Sequence, residues 1–185
     1  DAAACWDVVA TASPISHVEN ARRKIITNSG LIPNAIVMSR NTFWNAVNCD
    51  EIVLRLKYNG FTDVKNVTAA AMAEIWQVDE VIVAGGIKAT NNEAQAFSGD
   101  WIWSDDYAQL CVVAKTDDPR EPCIGRTLLW SEDGPGAAGT EEEIAVLIEE
   151  YREENRRGSV IRARNNRDIV MMYPEAGCLI VNLKT

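Results

Sequence analysis

The chain has one histidine, His17, and no Cys-x-x-Cys or His-x-x-x-His spacing. A zinc site has nothing to build on, and a Cys/His catalytic pair would have to use His17, which reads as a satisfied residue flanking a helix. The glycine-rich phosphate signatures Gly-x-Gly-x-x-Gly and Gly-x-x-x-x-Gly-Lys-Ser/Thr are both missing. No uncharged run approaches the ~18 residues of a membrane-spanning helix. There is no basic stretch followed by an apolar signal core. The five cysteines are odd in number and none lies close to another. That excludes a secreted disulfide framework and favours buried free thiols in a reducing compartment. Net positive charge is lacking too: 18 basic residues face 27 acidic ones, a formal −9. A polyanion is repelled at long range by such a surface, so broad, non-specific nucleic-acid binding is excluded while a local basic patch is not. The chain begins at Asp1 without a methionine, which reads as a processed product or a fragment.

What is present suits one compact domain or two small ones. At 185 residues a chain buries roughly 70% of its unfolded surface and needs no metal or disulfide to fold. Apolar residues spaced at 15, 18, 21, 25 and 26 predict a helix over 15–29, started by Ser13-Pro14 and stopped by Gly30. Ala35-Ile36-Val37-Met38 reads as a strand. Asn41 or Thr42 is the expected cap of a second helix with Phe43, Trp44 and Val47 inward, and Asp50 opens a third. Asn59-Gly60 is a turn signal. Residues 68–77 form an alanine-rich helix capped by Thr68. Val81–Ala84 is a buried strand ended by Gly85-Gly86, and 87–100 reads as a loop. Strands follow at 109–114 and 126–130, and Gly134–Gly139 is a flexible link. The Thr140-Glu-Glu-Glu143 capping box predicts a charged helix over 140–156. Strands at 159–164, 169–173 and 178–181 end the chain. Helices interleave with strands first and strands dominate later, which predicts an α+β architecture.

The search for chemistry yields few candidates, and no catalytic, cofactor-binding or metal residue is assigned. Gly85-Gly86 after a strand could approach a phosphate, yet such a pair is more often a tight turn. Asp105-Asp106 and Asp117-Asp118 lack the graded spacing of a calcium loop and read as solvated turn residues. Asn66-Val67-Thr68 fits a glycosylation acceptor, with nothing placing the chain in a secretory route. Arg22-Arg23-Lys24 reads as a solvated helix face. Arg152, Arg156, Arg157, Arg162, Arg164 and Arg167 form the one basic island, suited to nucleic acid or to an acidic neighbour across an interface. Six tryptophans are a heavy load. Trp101 and Trp103 are expected on one face of a strand, in a core or an assembly contact.

The order of these pieces resembles a tailed-phage major capsid protein. The helix to Ser29 leads into Gly30-Leu-Ile-Pro-Asn34 and Ala-Ile-Val-Met-Ser39. Then come Phe43-Trp44, Ala73-Glu-Ile-Trp76, Val78-Asp-Glu-Val81, Trp101-Ile-Trp103 and Leu110-Cys-Val-Val113. Gly125-Arg-Thr-Leu-Leu-Trp130 and Pro174-Glu-Ala-Gly-Cys-Leu-Ile-Val-Asn182 complete the set. The resemblance implies a peripheral domain, residues 1–33 and 125–185 with a spine helix at about 16–29, and an inserted axial domain at 34–124. It implies a shell-forming subunit of a tailed phage or prophage, made in the bacterial host cytoplasm and ending in the virion capsid. Such a subunit is not an enzyme and carries no cofactor. Its partners are other copies of itself, scaffolding or decoration proteins, and packaged DNA by weak contact, with no membrane. The family's N-terminal arm and extended loop have only about fifteen residues to occupy here, so cross-linking by that loop is not implied. Encapsulin nanocompartments share the architecture. The rival expectation is a small α/β enzyme that holds a phosphate or nucleotide at Gly85-Gly86.

Overall fold

A computed structural model describes residues 5–58, 67–129, 147–155, 157–164 and 167–185. Helix α1 spans Pro14–Ser29. Pro14 sits in its first turn, where a missing N–H costs nothing. Gly30 ends it in the left-handed region (φ 72°), and its N–H reaches the Ile26 carbonyl. A side chain at that φ is strained, which is why glycine stops the helix. Pro14, Val18, Ala21 and Ile25 make the buried stripe.

The chain then enters β1, Ala35–Ser39. Asn34 sets the geometry of this entry. Its backbone carbonyl accepts the N–H groups of Asp79 and Glu80, its side-chain amide donates to the Val113 carbonyl, and its side-chain oxygen accepts the Val113 N–H. One residue thereby ties the entry to β1 to residues 79–80 and to residue 113, two stretches distant in sequence. Helices α2 (Arg40–Asn48), α3 (Asp50–Tyr58) and α4 (Ala69–Trp76) carry the chain over to β2, Glu80–Ala84. β2 pairs parallel to β1, as a helical crossover requires.

Next come β3 (Ile87–Ala89) and β4 (Gly99–Trp101), which pair with each other, and β5 (Ala108–Cys111). β5 runs antiparallel to β1 and to the last strand β10, Gly177–Ile180, so the main sheet has the order β10-β5-β1-β2. Its central strands are buried on both faces: four of five residues of β1 and three of four of β5. That is why they read as unbroken apolar runs rather than alternating ones. Helix α1 packs against β10 and the Pro174–Ala176 turn before it, and α4 against β2.

Residues 1–124 and 173–185 form one compact unit, and 125–172 a second. Residues 14–29, expected in the peripheral domain with 125–185, thus share a unit with the expected axial segment 34–124. The second unit contains two antiparallel pairs. β6 (Gly125–Leu129) pairs with β9 (Arg167–Met171), and β7 (Leu147–Glu153) pairs with β8 (Gly158–Arg164). The architecture is mixed α+β.

Four local expectations are corrected. The cap of α2 is Ser39, whose hydroxyl accepts the Thr42 N–H; neither Asn41 nor Thr42 fills that place. Trp44 is 63% exposed, and the inner face of α2 is Thr42, Ala46 and Val47. Residues 87–100 are not one loop, since β3 and β4 stand at their ends. Residues 147–153 are a strand instead of a helix. Ile148 and Tyr151 fit a pleated surface, and pairing with β8 outweighs the helical charge pattern. The capping box at 140–143, the Asn59-Gly60 turn, the 134–139 link, Trp130, Asn66 and Arg156 lie outside the described residues.

Candidate functional site

A polar cluster lies where β1 meets α2. Ser39 donates to an Asp105 carboxylate oxygen at 2.6 Å, Asn41 donates to the other at 3.0 Å, and Lys184 stands 3.7 Å away. Thr42 donates to the Asp105 backbone carbonyl. Burial pushes the Asp105 carboxyl up. The hydrogen bonds from Ser39 and Asn41 and the Lys184 charge outweigh it and hold the group below its ordinary value. The Ser39 proton is committed to this carboxylate and its oxygen to the Thr42 N–H, and Ser39 is almost fully buried. That is a clamp between a strand, a helix and the loop after β4, not an activated nucleophile.

Around it lies a polar pocket of about 310 Å³ with Lys88, Asp100, Asp106 and Lys184 beside Trp101 and Trp103. The two indoles do not share a strand face: β4 ends at Trp101, and the Trp103 ring N–H donates to the Tyr107 carbonyl. Asp105 is therefore not a solvated turn residue, whereas the Asp118 carboxylate accepts the Arg120 N–H within its own turn. Among the described residues no three histidine, cysteine or acidic side chains converge as metal ligands do.

A second pocket, about 410 Å³, lies between α2 and β2. Phe43, Trp44, Val47, Val67 and Val83 make it apolar, and Arg40 and Asn41 form its polar edge. It holds no acid–base pair and no nucleophile. The Gly85-Gly86 step leads from β2 directly into β3. The Gly86 carbonyl accepts the Ile102 N–H, and a Cβ on Gly86 would meet the Ile102 side chain at 3.2 Å. Gly86 thus serves a close contact with Ile102, the space beside Gly85 is open, and the strand β3 rather than a helix N-terminus follows them.

The remaining candidates are structural. Trp6, buried, donates its ring N–H to His17 Nδ1 at 3.0 Å and stacks on Trp76 at 6.2 Å. Its backbone N–H reaches the Leu183 carbonyl, so Trp6 joins the two ends of the described chain. Sequence reasoning missed this role. Burial pushes the His17 imidazole below its ordinary 6.5, with Glu51 opposing, and the neutral ring is the form that accepts the indole N–H. Arg22 does not lie on a solvated face. It donates to the Trp76 and Gln77 carbonyls and to Glu19, closing the C-terminal end of α4, where positive charge is favoured. None of the five cysteines is joined in a disulfide. Burial pushes the Cys49 thiol up to about 11, helped by Glu51 and Asp50, and burial alone does the same for Cys111. Neither is a thiolate near neutrality.

The arginine island is not one stripe. Arg152 lies opposite Ser159, while Arg162 lies opposite Glu149. With the period of two, these put Arg152 and Arg162 on opposite faces of the β7–β8 ribbon.

No protein-family model matches this chain, and no curated protein matches it. Among solved structures, a phage-related protein from Bordetella bronchiseptica RB50 is similar over 99% of this chain, with a TM-score of 0.76 and 22% identity. The chain spans 55% of that protein's length. At this identity the likeness is one of fold. Among the described residues no helix is long and apolar enough to cross a membrane.

Proposed function

We propose that this chain is the shell-forming, major capsid subunit of a tailed phage or prophage, which assembles with copies of itself around packaged DNA. The observation that carries the reading is the likeness of nearly the whole chain to a phage-related protein. The ordered set of capsid-like motifs running from about Ser16 to Asn182 adds to it. The chemistry of the described surfaces agrees. The buried hydroxyls of Ser39 and Thr42 are paired into one clamp with Asp105, and the two thiols pushed up by burial stay protonated. What remains on the surface suits contact: Trp44, Phe97, Ile102, Ile148, Ile161 and Ile169 are all exposed. A shell subunit works through many weak contacts repeated by symmetry. Its acidic balance lets DNA slide and leave, where a basic lining would hold it. In this reading scaffolding or decoration proteins are further partners, and the virion capsid is the destination.

Electron microscopy of the purified full-length protein over a range of concentration and salt tests the proposal. Capsomers or closed shells are expected. Monomers under every condition would end it.

A further inference from the structure

The β7–β8 ribbon separates its charges by strand. The seven residues of Leu147–Glu153 contain three carboxylates and one guanidinium, a net −2. The seven of Gly158–Arg164 contain two guanidinium groups and no carboxylate, a net +2, with Arg157 immediately before them. Among the described residues each strand has one paired neighbour, the other strand of the ribbon. A two-stranded ribbon standing alone is marginal in water, and this one leaves Ile148 69% and Ile161 72% exposed. Those two lie on the same face, since Ile148 is opposite Ala163 and Ile161 opposite Glu150. The ribbon has the features of a sheet still to be extended.

Resting on the shell reading, we infer that the ribbon is completed by a second copy of this chain, with the acidic edge of β7 pairing against the basic edge of β8 in the next subunit. Charge decides the order. Pairing β7 with β7 faces carboxylates with carboxylates, and pairing β8 with β8 faces arginines with arginines. Both are disfavoured when like charges lie opposite, whereas β7 against β8 matches opposite signs. A head-to-tail repeat also leaves the meeting strands antiparallel, so the ladder continues without a change of hydrogen-bond pattern. It extends the apolar strip of Ile148 and Ile161 along one sheet face. Such a contact joins two different edges, so it propagates from subunit to subunit and closes into a ring when the rotation allows. The arginines of β8 are then one half of a subunit contact, and the carboxylates of β7 are the other.

Cysteine cross-linking in the full-length protein tests this. One chain carries Ile148→Cys on β7, and a second, differently tagged chain carries Ser159→Cys on β8. Both positions are exposed, and circular dichroism with an unchanged melting temperature checks that each variant folds. The chains are mixed before assembly and treated with a short bismaleimide. The unmutated protein gives the background from Cys5 and Cys178. Links between the two tagged chains should exceed self-links of either variant by tenfold or more. Self-links as strong as the mixed ones would overturn the head-to-tail order. Shells that form with no ribbon cross-link would overturn the ribbon contact while leaving the shell reading standing. A protein that never assembles would end both.

Discussion

Arg22 and Arg23 are neighbours in sequence with opposite roles. Arg22 caps α4 with its guanidinium largely covered, while Arg23 is 73% exposed in its side chain and pairs with Glu19. Arg22→Ala should destabilise the fold by about 1–3 kcal/mol, because two carbonyls lose a charged donor. Arg23→Ala should cost less than about 0.5 kcal/mol, as exposed helix pairs do. Chemical denaturation of the two variants checks the contrast. His17 gives a pH prediction. Its folded pKa lies below the ordinary 6.5, so the stability tied to the neutral ring is fully present above 6.5. It is lost as pH falls through the folded value, when Nδ1 gains a proton and the Trp6 N–H loses its acceptor. The wild-type melting temperature should fall in that window, and His17→Gln should fall less. The pattern of residue types marked His17 as satisfied, but it showed neither its partner Trp6 nor the contacts of Arg22. Arg22-Arg23-Lys24 reads as a solvated cluster because a helix period of 3.6 cannot say which of three adjacent charges meets a distant carbonyl. Trp6 and Asn34 were missed for the same reason, their partners lying far along the chain.

At the scale of elements the local signals served well where several agreed. Pro14 at the start, Gly30 at the end and the stripe between them define α1. Ile25→Ala should cost about 2–5 kcal/mol through the cavity it leaves. Ile26→Ala, 41% exposed, should cost well under half of that, and thermal melts of the pair decide it. Thr68 caps α4 as its position suggests, its hydroxyl accepting the Ala71 N–H. Ser39 escaped notice because its oxygen also serves Asp105, a partner 66 residues away. Ser39→Ala should remove about 0.5–2 kcal/mol for the cap alone. It should also raise the Asp105 pKa, readable by NMR titration of that carboxyl. The strand at 147–153 shows where local reading ends. Its charges suit a helix surface, but Gly158–Arg164 lies within reach as a partner, and cross-strand pairing settles the conformation.

At the scale of the molecule the α+β order and the individual strands of the central sheet were legible, though not their pairing. Buried strands such as Ala35–Ser39 and Ala108–Cys111 are continuous apolar runs, and the interleaved helices set the crossover. The division into units was not legible, because it depends on which distant strands close the sheet. β10 brings residues 173–185 back beside β5, and no local pattern announces that return. No expected motif marked a candidate site either, since the polar clamp at Asp105 is assembled from three separate segments. The account rests on one claim: these surfaces exist to meet copies of the same chain. Negative-stain electron microscopy with sedimentation velocity on the full-length protein tests it most directly. The account predicts fast-sedimenting rings or closed shells that build up with concentration, and a single monomer peak with empty grids at every concentration and salt would contradict it.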